Sequence, residues 1–255
     1  MQQIHDFRRA KRALDALLSN PDDTRQVFVI IDSLSGKSPG RNLRRLARDP
    51  IGKKLLAEKP KLLSLLEDRA YLEALPAGSL GRAYLEFIDA ECITARGLVD
   101  ASKLPGDSQH PAAPGKVPRP SAESEPSRAQ APLDPDLEFL HHRMRDSHDL
   151  WHTVTGYKGD LVGEGALLAF SFAQSWNPAV GLIIFAGFLR GREIGVRRQI
   201  LRGFWRGIRA KWMIPVDWEN QLARPLAEVR RELRVGSVPS YVPVRTSQFA
   251  MAVPS

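Results

Sequence analysis

Three residues of types that commonly bind metal ions lie within five positions of this sequence, at His148, Asp149 and His152, and Glu164 follows twelve residues later. Side chains four apart share one face of a helix, so both imidazoles can approach a single ion. Asp149 is rotated by about 100° from His148 on such a helix. Its carboxylate can therefore be a ligand at the edge of the site, or it can orient a histidine from behind.

Glu164 reaches the histidines only if the helix that carries them ends early. On one unbroken helix Glu164 would lie roughly four turns away along the axis, far out of reach. Segment 156–159 reads Gly-Tyr-Lys-Gly and breaks the helix, and Asp160 is placed to cap the next one. We predict one helix over 137–155, a turn, and a returning helix from Asp160 to about residue 175.

Two imidazoles with one or two carboxylates would leave room on a metal ion for water or substrate. This donor set suits Zn²⁺, and also Fe²⁺ or Mn²⁺. From the histidine pair alone, a capping or core role is an open alternative. Residue 149 is Asp, which argues against the HExxH pattern of zinc proteases. His141 shares the helical face of the pair and is expected to be exposed to solvent.

The rest of the chain predicts a mainly α protein, a compact multi-helix domain with a proline-rich linker or insertion in its middle. Apolar residues recur at helical spacing in most segments. Residues 26–34 are rich in β-branched side chains, but the surrounding helical segments favour a buried helix there. Single helices are also expected over 62–75 and from Trp218 to about residue 234. The apolar run 165–189 is long enough to span a bilayer, but Asn177-Pro178 interrupts it. We predict two buried helices there, with Asn177 as the cap of the second.

Composition divides the chain into four regions. Residues 1–100 form an N-terminal helical part, 101–135 a linker rich in Pro, Ala and Ser, 136–236 a helical part that carries the metal site and packs on the first, and 237–255 a tail. The linker cannot bury enough apolar surface to offset its chain entropy, so it is expected to have little order. The tail is expected to be frayed or strand-like.

Charge and cysteine content narrow the class of protein. The chain has 255 residues, one cysteine and a formal net charge of +8. A single cysteine excludes a disulfide within the chain, and the apolar neighbours of Cys92 favour a core position over a nucleophile. The N-terminal residues lack the apolar run of a secretory signal. A basic surface favours an anionic membrane, nucleic acid or an acidic protein without choosing among them. The arginine-rich segment 190–209 is expected either on lipid headgroups or facing solvent.

At these residues the sequence resembles a known family, the ubiquinone-biosynthesis proteins called coenzyme Q biosynthesis protein four. The family signature is His-Asp-x-x-His, eleven residues and Glu, which here falls on His148, Asp149, His152 and Glu164. Two upstream blocks are also similar to the family, DPIGKKLLAEKPKL over 49–62 and LPAGSLGRAYLEFI over 75–88. Trp218-Glu219 and the segment from Pro225 match more loosely. The proline-rich stretch is longer than the family needs.

The resemblance implies a mostly helical fold and a divalent metal, usually taken as zinc, held by His148, Asp149, His152 and Glu164. It implies that these residues serve removal of the ring carboxylate from a polyprenylated 4-hydroxybenzoate-type intermediate, with oxygen then introduced at the same carbon. Expected partners are that prenylated precursor, other ubiquinone biosynthesis enzymes and a membrane surface, with no nucleic acid. A homodimer is left open. The expected location is cytoplasmic and peripheral to the membrane, or the matrix side of the mitochondrial inner membrane in a eukaryote.

Two other functions stay open from the sequence. In the first, the protein is a non-catalytic scaffold that binds the prenylated intermediate and organises partner enzymes, with a structural metal. In the second, it is a phosphohydrolase of the HD type, although that site also needs a separate upstream His and a distant Asp, whose places are not evident.

Overall fold

A computed structural model describes residues 6–20, 23, 25–102, 134–190 and 195–244. Its first half contains eight helices. They are α1 Phe7–Ser19, α2 Arg25–Leu34, α3 Ser38–Leu46, α4 Pro50–Glu58, α5 Leu62–Glu67, α6 Arg69–Ala74, α7 Leu80–Glu91 and α8 Gly97–Ser102. The predicted linker 101–135 falls almost wholly outside the described residues.

Seven further helices follow the linker. They are α9 Pro135–Asp146, α10 His148–Thr155, α11 Leu161–Ser175, α12 Pro178–Arg190, α13 Val196–Arg209, α14 Trp218–Gln221 and α15 Leu226–Leu233. The described residues form no strand, only one isolated bridge between Ser79 and Pro225. The mainly α prediction is confirmed. The division at residues 100 and 136 stays a prediction, although α10 packs on α7 and α9 on α3.

Side-chain caps explain where several of these helices begin. Asp49 accepts hydrogen bonds from the backbone N–H groups of Ile51 and Gly52 at the start of α4. Asn177 Oδ1 accepts one from Ala179 N, with Pro178 at the first position of α12. Such bonds satisfy donors that have no partner within a helix. The predicted pair of helices across the apolar run is confirmed. The predicted burial of the second helix is wrong in part, because Phe185 and Leu189 of α12 are exposed. No helix in the described ranges is long and apolar enough to cross a membrane.

Three of the predicted single helices are wrong, because each is divided in two. The helix over 137–155 breaks at Ser147, whose hydroxyl donates back to the Met144 carbonyl. The helix over 62–75 breaks at Asp68, whose carboxylate caps α6 by accepting from Tyr71 N. The helix from Trp218 breaks before Pro225, which has no N–H to continue it.

The last of these breaks has a tertiary partner. The backbone N–H groups of Leu80 and Gly81, at the start of α7, donate to the carbonyls of Arg224 and Leu222 at 2.9 and 2.8 Å. In return, Leu226 N donates to the Gly78 carbonyl at 2.9 Å. The loop between α14 and α15 therefore satisfies two of the free N–H groups of α7, a non-local arrangement that helical periodicity does not reveal.

The main hydrophobic core joins both halves of the chain, with Leu72 and Tyr84 from the first half and Leu150, Phe170 and Trp218 from the second. Cys92 is not part of it. The core position predicted for this cysteine is wrong, because Cys92 ends α7 in the left-handed region at φ 55° and is exposed.

Helices α11 and α13 pack unusually closely because two glycines lie between them. A Cβ atom at Gly203 would overlap the Ala166 carbonyl oxygen, and one at Gly207 would lie 2.6 Å from the Phe170 carbonyl oxygen. Backbone atoms cannot move aside as a flexible side chain can. These glycines therefore fix α13 against α11, the helix that carries Glu164.

Candidate metal centre

His148, His152 and Glu164 converge in the structure, with one possible ligand atom from each lying within 4.8 Å of the others. Glu164 Oε1 is 3.2 Å from His152 Nε2, and Glu164 Oε2 is 3.8 Å from His148 Nε2. Among the described residues this is the one group of three or more His, Cys, Asp or Glu side chains that could hold a metal ion.

The turn between α10 and α11 makes this convergence possible. Gly156 ends α10 in the left-handed region at φ 78°, where a Cβ atom would be strained. Asp160 then caps α11 by accepting from Val162 N and Gly163 N. Glu164 lies in the first turn of α11, so reversal of the chain brings it opposite the histidines. The predicted break and the predicted cap are both confirmed.

Each imidazole is held by its Nδ1 atom. His152 Nδ1 lies 3.0 Å from the Tyr157 backbone carbonyl, which only accepts hydrogen bonds. His148 Nδ1 lies 3.1 Å from Asp149 Oδ1. Both partners accept a hydrogen bond from Nδ1, so in the neutral form of each ring the Nε2 lone pair faces Glu164. Metal-binding histidines in proteins are typically oriented in this way.

Asp149 therefore lies behind His148, where its carboxylate contacts Nδ1 of the imidazole. It is not part of the group formed by His148, His152 and Glu164. Asp149 as a direct ligand stays a prediction. His141 is exposed, as expected, and the main role of Asp160 is to cap α11.

The Nε2 atom of His152 is the feature that most needs a cation. His152 is 1% exposed, and this nitrogen is buried without a hydrogen bond from any described residue. A carboxylate oxygen of Glu164 lies 3.2 Å away, and in the neutral ring the Nε2 lone pair faces it. Two acceptors at that distance repel each other unless a proton or a metal ion lies between them. The residues present therefore fit a divalent cation.

Electrostatics keep the carboxylate in its metal-binding form. Burial by itself would raise the pKa of Glu164, but the charge and hydrogen bond of His152 and the charge of His148, both acting when the rings are protonated, outweigh it and lower this pKa to about 2. A metal ion would take the place of these imidazole protons. Burial would likewise lower the pKa of His148, and the hydrogen bond to Asp149 with the charge of Glu164 outweighs it and raises that pKa. Glu164 is therefore ionised at neutral pH, the state in which a carboxylate binds metal.

Within the described residues, the centre is exposed to solvent at Glu164 and His148. The Glu164 side chain is 40% exposed and that of His148 28%. The His152 ring is stacked against Phe87 of α7, with ring centroids 5.2 Å apart. Water or a substrate could approach a bound ion past Glu164 and His148 and occupy the coordination positions that the protein leaves free.

Two arginines hold the C-terminal end of α10. Arg230 donates to the carbonyls of Thr153 and Val154, and Arg206 donates to the carbonyl of Thr155. These carbonyls have no partner within the helix, and cations are favourable at a helix C-terminus. Sequence periodicity did not identify this support, because both arginines lie more than fifty positions away.

The segment 238–244 forms a strap over the turn between α10 and α11. Tyr241 Oη donates to Asp160 Oδ2 at 2.8 Å and accepts from Lys158 N at 2.9 Å. Val244 N donates to Asp160 Oδ1, and Val244 O accepts from Leu161 N. The expectation of a frayed or strand-like tail is therefore wrong for these residues. The rest of the predicted tail, 245–255, lies outside the described residues.

Removing the strap's phenol should loosen this turn. We expect Tyr241→Phe to lower the free energy of unfolding by about 1–3 kcal/mol, since one of its two hydrogen bonds is to a carboxylate. Amide exchange should rise at residues 158–164. Tyr71→Phe is the matched control, because the Tyr71 hydroxyl makes no hydrogen bond with any described residue. Equal stability of the two variants would contradict the role given to Tyr241.

Comparison with known proteins places the chain in a family. The family model described as coenzyme Q (ubiquinone) biosynthesis protein Coq4 matches residues 9–98 and 128–239, which is most of the sequence. The crystal structure of a candidate ubiquinone biosynthesis protein from Nostoc punctiforme superposes with a TM-score of 0.61 at 20% identity. The match covers 91% of this chain and all of that one, and at this identity it shows the shared fold.

Two mitochondrial ubiquinone biosynthesis proteins are related in sequence. The Neurospora crassa protein is 28% identical over 199 residues, which cover 77% of this chain and 49% of that protein. The Candida albicans protein is 26% identical over 238 residues, which cover 91% and 64%. The chain thus spans about half to two thirds of the length of these relatives. With the family model matched across both halves, the chain belongs to the Coq4 family of coenzyme Q (ubiquinone) biosynthesis proteins.

Proposed function

We propose that this protein is a metal-dependent enzyme of ubiquinone biosynthesis, and that His148, His152 and Glu164 hold its metal ion. The observation that carries the proposal is the buried, unbonded Nε2 of His152 facing the Glu164 carboxylate. Asp149 orients His148 from behind, or joins as a fourth ligand after a change of rotamer. Two imidazoles and a carboxylate suit Zn²⁺ first, and also the open sites used by Fe²⁺ or Mn²⁺.

The proposed reaction replaces the ring carboxylate of a polyprenylated hydroxybenzoate by a hydroxyl group. The bond between ring and carboxylate breaks, CO₂ leaves, and the electron pair left on the ring carbon takes up one proton. That carbon is then hydroxylated. With dioxygen as the oxidant, one oxygen atom enters the ring and the other becomes water, with two electrons and two protons from a reductant. The bound metal would supply a Lewis acid for the substrate carboxylate or phenolate.

The chain's own residues would bind and orient this substrate. One carboxylate and two neutral imidazoles leave a divalent ion with net positive charge, which favours an anionic group at the open side. Phe87 and the buried His152 close the other side and exclude water there. The apolar helices α11 and α12 supply surface for a prenyl tail, although much of that surface is ordinary core.

Location and partners follow from the same proposal. We place the protein at a membrane surface beside other ubiquinone biosynthesis enzymes, since a prenylated substrate resides in lipid. It would work on the cytoplasmic face in a bacterium. In a eukaryote it would work on the matrix side of the inner mitochondrial membrane, in line with the mitochondrial relatives. A homodimer is compatible with this arrangement.

The test is to remove the metal from the purified protein, restore Zn²⁺, Fe²⁺ or Mn²⁺ in turn, and supply a carboxylated prenyl-phenol with oxygen and a reductant. We expect CO₂ release and the hydroxylated ring with at least one metal and neither product without metal. His148→Ala and Glu164→Ala should fail to restore ubiquinone synthesis in a deletion strain.

The scaffold alternative predicts a different outcome. If those variants lose the metal, remain folded and still restore ubiquinone synthesis, the catalytic proposal is wrong and a scaffold remains. Phosphate release from nucleotides would instead support the phosphohydrolase.

A further inference from the structure

Helix α13 carries two parallel stripes of exposed side chains along its outer face. Its inner face is fixed against α11 through Gly203 and Gly207. The apolar stripe consists of Leu201, Trp205 and Ile208, each about half exposed. The second stripe consists of exposed arginines 198, 202 and 209. Because these positions recur at three and four residues, both stripes run along the helix and can meet one flat surface together.

The charge of α13 has a single sign. Its fourteen residues include five arginines and no acidic residue. Arg198, Arg202 and Arg209 form no ion pair with any described residue, so their charge is not neutralised within the described part of the protein. The guanidinium carbon of Arg209 lies 5.8 Å from the centre of the Trp205 ring. A positive charge therefore lies directly beside the apolar stripe.

A second tryptophan extends the apolar surface beyond α13. Trp176 ends α11 in the left-handed region and is about half exposed. Its ring contacts Phe204 at 6.1 Å between centroids, and Phe204 contacts Trp205 at 5.7 Å. Arg41 donates to the Trp176 carbonyl at 2.8 Å, which holds this corner in place. The two exposed tryptophans are thus joined through one partly buried ring.

We propose that this face, Trp176 together with the outer side of α13, docks on an anionic lipid bilayer. Leu201, Trp205 and Ile208 would enter the boundary between headgroups and acyl chains, where tryptophan is enriched. Arg198, Arg202 and Arg209 would contact lipid phosphates. The inference specifies a surface for the membrane location proposed above and does not depend on the metal chemistry.

Charge argues against a second copy of the chain on this face. A two-fold contact through α13 would bring two sets of unneutralised arginines together, which is unfavourable. The adjoining groove, of about 880 Å³ between α13 and segment 236–240, is lined by arginines 198, 202, 206 and 209 and extends the positive charge. A continuous cationic and apolar band is typical of helices that lie in a bilayer interface.

The experiment is sedimentation of the full chain with vesicles of phosphatidylcholine alone or with about a third phosphatidylglycerol. We expect binding to the anionic vesicles, which weakens at high salt. The triple variant Arg198→Gln/Arg202→Gln/Arg209→Gln should lower the partition coefficient by about a hundredfold, at about 1 kcal/mol for each arginine. Leu201→Gln/Trp205→Gln should lower it at least about tenfold, through loss of buried apolar area.

The matched control removes the same charge elsewhere, with Arg8→Gln/Arg12→Gln/Arg25→Gln at exposed positions on α1 and at the start of α2. We expect the partition coefficient of this control variant on anionic vesicles to lie within about threefold of that of the unaltered protein. Equal loss in both triple variants would show attraction by net charge alone and would overturn the proposed face. Absence of binding by the unaltered protein would overturn bilayer docking and leave an acidic protein as the occupant. Circular dichroism of every variant separates misfolding from lost docking.

Discussion

Glu164→Gln is expected to weaken Zn²⁺ binding by more than about a hundredfold. The variant keeps the size of the side chain but removes the negative charge between two imidazoles. Removing a residue that only hydrogen-bonds to a metal ligand already weakens metal affinity by about 10- to 100-fold. Here a ligand itself is removed. Titration calorimetry in competition with a chelator measures the change.

The control for this substitution is Glu138→Gln, at an exposed position on α9. It removes the same charge from a nearby helix and should bind Zn²⁺ as the unaltered protein does. His152→Ala should lose binding to a similar extent as Glu164→Gln, whereas exposed His142→Ala should not. Unchanged Zn²⁺ affinity in Glu164→Gln would contradict the assigned ligand set.

Gly203→Ala is expected to lower the free energy of unfolding by about 1–2 kcal/mol. Alanine has the higher helix propensity, which would contribute about 1 kcal/mol of stability. The new methyl group, however, would overlap the Ala166 carbonyl oxygen of α11. Overpacking against atoms that cannot move aside outweighs the propensity. Urea denaturation measures the difference.

Gly187→Ala is the matched control for this prediction. Gly187 lies within α12, and a Cβ atom there would meet nothing within 4 Å. The same substitution should therefore stabilise the protein by up to about 1 kcal/mol. If the two variants change stability in the same direction, the close approach of α11 and α13 is not what requires glycine at position 203.

Local sequence signals predicted the central part of the site. The turn at 156–159, the Asp160 cap and the start of α12 at Pro178 each depend on residues within a few positions. Glycine, proline and capping side chains determine such features locally. Since Glu164 follows its cap by one turn, its position opposite the histidines could also be predicted.

Some of the errors involve long-range contacts, and the others involve local features without a clear sequence signal. The strap depends on Tyr241 meeting Asp160, which is 81 positions away, and polar composition alone made this segment resemble a frayed tail. Ser147 carries no glycine or proline signal, so the break between α9 and α10 could not be read from the sequence. Cys92 has apolar neighbours but ends a helix, at a position where glycine is more usual.

X-ray absorption at the zinc edge of the loaded protein measures the proposed ligand set itself. We expect one zinc ion per chain, bound by two imidazole nitrogens and by oxygen ligands that include one carboxylate. His152→Ala should lose this signal without unfolding. Zinc bound by another set of residues, or no stoichiometric binding of Zn²⁺, Fe²⁺ or Mn²⁺ by the folded protein, would contradict the assignment of His148, His152 and Glu164 as a metal centre.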